Sequence, residues 1–190
     1  MAGRPRSIDR DKVLDAAEAL VMTEGASALS FDAVAKAAGI TKGGVQYAFG
    51  TRDNLIRSMI TRWEEAFDAD VAQRTGPDPS AQALIRGHLA AMRDAEEADH
   101  SRAAVAVTAL FQHPDQLAET RDWYAARFGR LDLSKPGDRR LATTFLAAEG
   151  AFLLKAFGLL SLPDTQWKAL FDDMLSATPT GLEDAEPQNE

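Results

Sequence analysis

TKGGVQYAFG, residues 41–50, reads as a short helix that begins badly. Thr41 is a good N-cap, because its hydroxyl accepts one of the unpaired amides of the first turn. Lys42 then puts a positive charge at the positive end of the helix dipole, and Gly43 and Gly44 each lower helix stability by roughly 1 kcal/mol relative to alanine. Gly50 ends the helix barely two turns later. A first turn so poor for an isolated helix calls for something outside it. A helix N-terminus with a lysine beside it suits a phosphate, and glycines suit the close approach of another backbone.

Upstream, Ser30 caps a second short helix that Gly39 ends, so only Gly39-Ile40 separates it from the cap of the next. That is too short for an antiparallel hairpin of long helices, and the spacing predicts a helix-turn-helix. Before it, a helix from Asp9 to Gly25 places Val13, Leu14, Ala17, Leu20 and Val21 on one face. In all three helices the residue before the cap and the fourth helical residue are apolar: Ile8 with Val13, Leu29 with Val34, Ile40 with Val45. Such hydrophobic staples fix the angle of entry into a helix, and three in succession mark a unit whose interhelix angles matter.

In a helix-turn-helix the second helix lies in the major groove with its N-terminal residues at the bases. In that setting Thr41 and Lys42 face phosphate, and Gly43 and Gly44 allow close approach. Gln46 is suited to a bidentate pair with adenine, Tyr47 to a phosphate or a thymine methyl, and Arg52 to a second phosphate. Taken singly, each has an ordinary alternative: a flexible loop, a half-buried aromatic, a solvated charge. Three staples around a short cationic helix favour DNA.

Residues 9–56, above all FDAVAKAAGITKGGVQYAFGTRDNLI, resemble the DNA-binding domain of the TetR family of bacterial transcriptional regulators. Ala35, Ala38, Gly39, Ile40, Thr41, Lys42, Gly43, Val45, Phe49, Thr51 and Leu55 fall on the family pattern. Gln46 stands where a tyrosine is usual, with Tyr47 beside it, which shifts base reading towards Gln46. Arg52 replaces a lysine and keeps its charge, and Gly50 replaces a common proline. The arm GRPRS adds Arg4 and Arg6, which suit a narrow minor groove.

The rest of the chain is predicted to be all-α, about nine helices in total, because apolar residues recur with the 3.6 period and almost nowhere alternate. A fourth helix from Thr51 carries Leu55, Ile56, Met59, Ile60, Trp63, Phe67 and Val71 until TGPDPS at 75–80 breaks it. Five more are expected at 80–98, 100–113, 115–130, 138–161 and 164–177, the last capped by Asp164. The expected organisation is a DNA-binding domain over 1–52, a helical domain over 53–177 joined to it by the helix 53–75, and a disordered acidic tail over 178–190. Charge divides similarly: residues 1–62 carry +2 and the remainder −10, for a total of −8.

The resemblance implies that the C-terminal helices form a homodimer and enclose a small-molecule pocket, and that ligand binding moves the fourth helix and so the spacing of two reading heads. For dimerisation the sequence adds its own support. Residues 138–161 are apolar nearly all round in their second half (Phe152, Leu153, Leu154, Phe157, Leu159, Leu160), with Ala147, Gly150, Ala151 and Gly158 allowing close approach; with helix 164–177 they are expected to build a two-fold four-helix interface. His88, Met92, Phe111, Trp123, Phe145 and Glu149 are the candidate pocket residues, an apolar lining with a few polar groups.

No enzyme is expected. With no cysteine there are no thiolate sites, the histidines at 88, 100 and 113 lack zinc spacing, and no serine sits in a nucleophile elbow. Glu97-x-x-His100 is half of a di-iron signature whose second half is missing. A helical-bundle metalloenzyme and a helical adaptor without DNA binding are the alternatives. No cofactor is expected, the N-terminus lacks the apolar core of a signal peptide, and Glu149 and Lys155 interrupt the one long apolar stretch, so a cytoplasmic location with no membrane partner is the expectation. The sign of regulation implied by the resemblance is repression, and operator and effector stay open.

Overall fold

The computed structural model describes residues 8–110 and 114–178. Among these residues all regular structure is helical: α1 (Arg10–Glu24), a 3-10 turn (Ala26–Ala28), α2 (Phe31–Ala38), α3 (Lys42–Phe49), α4 (Arg52–Thr75), α5 (Ala81–Arg93), α6 (Glu97–Leu110), α7 (Pro114–Phe128), α8 (Pro136–Ala156) and α9 (Asp164–Ala177). No helix among the described residues is long and apolar enough to cross a membrane. Arg4, Arg6, Phe111 and His113, with the residues from 179 onward, lie outside the described residues. The chain divides into two compact units between Glu65 and Ala66, inside α4.

In the first unit the caps are set by local chemistry. Asp9 accepts from the Lys12 amide at 3.3 Å, Ser30 from Ala33 at 3.2 Å, Thr41 from Gly44 at 3.1 Å and Thr51 from Asn54 at 3.1 Å, each bond contributing about 1 kcal/mol. Gly39 turns the chain between α2 and α3 with φ 67°, and the Ile40 amide returns to the Ala35 carbonyl at 3.0 Å, which closes α2. Val13, Leu14, Ala17, Val21, Leu29, Val34, Val45, Phe49, Leu55, Ile56, Met59 and Ile60 form the core. Arg62 of α4 pairs with Asp15 at 2.6 Å and Glu18 at 2.7 Å on α1, and the Trp63 indole donates to the same Glu18 at 2.9 Å.

The second unit is built around Ile85, Leu89, Met92, Leu141, Phe145, Ala148, Phe152 and Phe171, contributed by α5, α8 and α9. The inward residues of α8 recur at three- and four-residue steps. A charged seam ties the ends of three helices. Asp94, after α5, takes Arg93 at 2.8 Å and Arg74 of α4 at 2.6 Å, which pulls its carboxyl down to about 2; Arg93 also reaches Asp172 of α9 at 3.1 Å. Arg86 of α5 donates to the Leu175 carbonyl at 2.8 Å and to Thr178, a cation at the negative end of α9.

Several helix ends differ from the sequence expectation. α5 stops at Arg93, not 98, where Asp94 turns away to its two arginines. α8 stops at Ala156, not 161, because Gly158 adopts φ 62° and the Leu159 amide returns to the Leu154 carbonyl at 2.9 Å. Asp164 is the first residue of α9, not its cap, and its carboxylate takes Lys155 at 2.9 Å instead of a backbone amide. Thr178, expected to open the tail, is buried beneath Arg86.

Candidate DNA interface and buried polar cluster

α2, the turn at Gly39 and α3 form the helix-turn-helix. Val45 and Phe49 turn inward from α3, while Lys42, Gly43, Gln46 and Tyr47 are exposed, Tyr47 to 88%. The two glycines differ. A Cβ on Gly43 would meet nothing within 4 Å, whereas one on Gly44 would stand 3.3 Å from Ile8 Cδ1 and from Thr41 Oγ1 and 3.5 Å from Ile40 Cδ1. Gly44 therefore makes room for two of the staple side chains and for the cap itself. Its smallness has a reason inside the protein, and only Gly43 is left bare at the helix start.

Lys42 also has an internal partner: its ammonium lies 2.8 Å from Asp32 in the first turn of α2. The pair is exposed and contributes no more than about 1 kcal/mol, so it offsets the dipole conflict without fixing the side chain. Arg52 is anchored through Nε to the Leu29 carbonyl at 2.7 Å, so α4 begins tied to the loop before α2. Arg10 was not anticipated from sequence. It donates to the Ala48 carbonyl and lies 4.4 Å over the Phe49 ring, fastening α1 to the C-terminal end of α3. An arginine at the start of α1 gives no sequence signal that singles it out for that role.

In the second unit four of the candidate pocket residues come together. His88, fully buried on α5, directs Nε2 to Glu149 of α8 at 2.8 Å. Its ring lies 4.9 Å from Phe145, 5.7 Å from Trp123 and 5.1 Å, edge-on, from Phe67. Met92 belongs to the apolar cluster that also contains Phe145. The Tyr124 hydroxyl donates to the second oxygen of Glu149 at 2.8 Å; burial and then the Glu149 charge push that hydroxyl well above the ordinary tyrosine range.

A second acid, Asp68 of α4, accepts the Trp123 indole at 3.0 Å and Arg127 at 2.5 Å. The Arg127 guanidinium lies 3.3 Å over the Trp123 ring, and burial lowers its pKa against the pull of Asp68. Asp68, Gln116, Thr120, Tyr124 and Arg127 were missed from sequence. A signal existed, since Gln116, Thr120, Trp123 and Arg127 follow one helix face at i, i+4, i+7 and i+11.

His100, from the half di-iron motif, uses Nδ1 on the Glu96 carbonyl at 2.7 Å and stacks on Phe152 at 4.8 Å, and burial lowers its pKa. Those contacts give it a packing role.

An exposed short helix after a tight turn, in a three-helix unit followed by a separate helical unit, defines a helix-turn-helix DNA-binding protein with a second domain. Residues 13–59 match the family model described as "Bacterial regulatory proteins, tetR family", and residues 82–179 match "Tetracyclin repressor-like, C-terminal domain". The chain belongs to the TetR family: it is a non-enzymatic DNA-binding transcriptional regulator with a ligand-binding C-terminal domain. No curated protein matches it significantly in sequence.

Among solved structures it is similar to a transcriptional regulator from Rhodococcus sp. Rha1, at 19% identity over 90% of this chain and 96% of that one, with TM-score 0.68. It is similar to the multidrug binding protein EbrR complexed with malachite green, at 20% identity over 90% and 99%, TM-score 0.65. A third is the fatty acid degradation regulator FadR from Bacillus halodurans, at 14% identity over 95% and 99%, TM-score 0.65. At such identities the likeness is one of fold.

Proposed function

We propose that the protein is a cytoplasmic repressor that binds a pseudo-palindromic operator as a homodimer and leaves it when a small molecule binds the second unit. The observation that carries this reading is the exposed face of α3, where Gln46 and Tyr47 stand beside a bare Gly43 and the lightly held Lys42. Thr41, Lys42 and Arg52 hold the phosphates, with Arg4 and Arg6 ahead of α1 reaching the minor groove. Gly44 serves by keeping the helix start compact. Gln46 and Tyr47 read the bases.

The dimer forms through the outer faces of α8 and α9 and the connection between them, where Leu146, Leu154, Phe157, Leu159, Leu160 and Leu170 are exposed. The effector sits among His88, Trp123, Phe145 and Glu149, with Met92 and Phe111 as further lining. Asp68, held there by Trp123 and Arg127, lies on α4, so a ligand that disturbs those bonds acts directly on the helix that leads to the DNA-binding domain. Its effect equals its difference in affinity for the DNA-bound and released states.

The test is anisotropy titration of duplexes taken from the DNA flanking the protein's own gene. A specific operator binds at least about 1,000-fold tighter than random duplex at physiological salt. Lys42→Ala weakens every sequence alike and lowers the salt slope by about one, while Gln46→Ala relaxes base preference. Equal affinity for flanking and random DNA would sink the reading of an operator beside the gene.

A further inference from the structure

Buried polar atoms are normally paired, because an unpaired one loses its hydration for nothing. Among the described residues the second unit holds a cluster that breaks this rule. Both amide atoms of Gln116, itself only 2% exposed, have no partner; neither do Thr120 Oγ1, Arg127 Nε and His88 Nδ1. Gln116 and Arg127 of α7 are buried, and Thr120 and Trp123, half-buried, lie between them on the same helix face. From Gln116 to Trp123 the stripe runs about 10 Å along the helix, the length of a two-ring molecule. Its Trp123 end meets the His88 ring, and Phe67 and Phe145 pack on that ring in turn.

The charged groups of the cluster face one another. Glu149 accepts from His88 and Tyr124, and Asp68 accepts from Arg127 and Trp123, so each carboxylate already takes two donors. Because a carboxylate only accepts, His88 Nε2 carries the proton, and in the neutral ring Nδ1 is then an acceptor. The unmatched atoms are a carboxamide that donates and accepts, a hydroxyl that does both, a ring nitrogen, and one guanidinium N–H. A cation would find both acids already engaged, and an anion would find Arg127 engaged with Asp68.

We propose that this stripe is the effector subsite and that it takes an uncharged, flat, apolar molecule carrying both a hydrogen-bond donor and an acceptor, such as an aromatic amide. The proposal rests on the reading of the second unit as effector-binding. Gln116 is its specificity-determining residue, pairing side by side with the ligand amide, and Thr120 assists one turn on.

Three molecules of one shape and different charge separate the possibilities: 2-naphthamide, the cationic 2-naphthamidine and the anionic 2-naphthoate, titrated calorimetrically into the full-length protein. The neutral amide is expected to bind at least tenfold more tightly than either charged isostere, roughly one hydrogen-bonded pair's worth. Gln116→Leu weakens the amide by about tenfold or more, and the isosteric Thr120→Val weakens it by a smaller factor.

Removing an unpaired buried amide also raises the melting temperature of the free protein, by about 2–4 °C for Gln116→Leu. A structural Gln116 would show the opposite shift, and that result overturns the proposal. Tightest binding by a charged isostere overturns the ligand class and leaves the effector reading standing. Binding of the amide that Gln116→Leu weakens, with no change in DNA affinity, upholds the subsite and overturns its regulatory role. Binding of none of the three overturns both.

Discussion

Gly43 and Gly44 stand side by side and answer to different needs. Gly44 lies close to Ile8, Ile40 and Thr41, whose side-chain ends would have to give by a few tenths of an ångström for a Cβ, while Gly43 has open space where a Cβ would go. Gly43→Ala is therefore expected to stabilise the free protein by about 0.5–1 kcal/mol, the difference in helix propensity, and to weaken DNA binding because the added methyl group stands where the backbones approach. A melting curve and an operator titration on one sample check both. If DNA affinity rises with stability, Gly43 is not at the interface. The cap at Thr41 and the stops at Gly39 and Gly50 were legible in the sequence because each depends on a few adjacent residues. The division of labour between the glycines was not, since it turns on where Ile8 lies in space, thirty-odd residues upstream of Gly44.

Between helices the same residue type decides how closely two backbones pack. A Cβ on Gly87 of α5 would lie 2.5 Å from Thr75 Oγ1, 3.0 Å from the Val71 carbonyl and 3.1 Å from the Thr75 amide, so α5 rests against the last turn of α4. The hydroxyl can rotate away; the two backbone atoms cannot. Gly87→Ala is expected to destabilise the protein by about 1–3 kcal/mol despite the better helix propensity of alanine, lowering the melting temperature by about 2–4 °C per kcal/mol. An unchanged melting temperature would mean that α4 and α5 stand further apart.

Helix existence was readable from apolar period and capping residues, but ends set by tertiary partners were not. α5 stops where Asp94 meets Arg74 and Arg93, and nothing near Asp94 in sequence announces Arg74. The buried cluster was half legible for a related reason. His88, Trp123, Phe145 and Glu149 stand out as aromatic or ionisable residues on apolar helices, whereas Gln116 and Thr120 are of types that usually face solvent. Only their shared face with Trp123 and Arg127 distinguishes them.

Each unit buries its own core, yet α8, α9 and the connection between them keep large side chains outside: Leu146 is 60% and Leu159 73% exposed, with Leu154, Phe157, Leu160 and Leu170 near 40%. Single exposed leucines are ordinary, but six large apolar side chains on α8, the connection after it and α9 suit a surface that a second copy would cover. Across a two-fold axis the same patch meets itself, so a substitution acts twice. Gly150, exposed and with nothing within 4 Å of a Cβ position, would let two α8 helices approach. Leu154→Arg should leave the monomer folded, because the side chain already faces outward and the core residue Phe152 is untouched. In the dimer it would place two like charges in an apolar contact without partners, raising the dimer dissociation constant by at least about 100-fold. Light scattering at micromolar concentration should then find wild type as a dimer and the variant as a monomer of unchanged helicity. The variant should lose most of its affinity for a palindromic operator while binding a single half-site as wild type does, since α3 is unaltered and only the pairing of the two reading heads is gone. A monomeric wild type, or a variant that dimerises as tightly as wild type, would move the interface elsewhere.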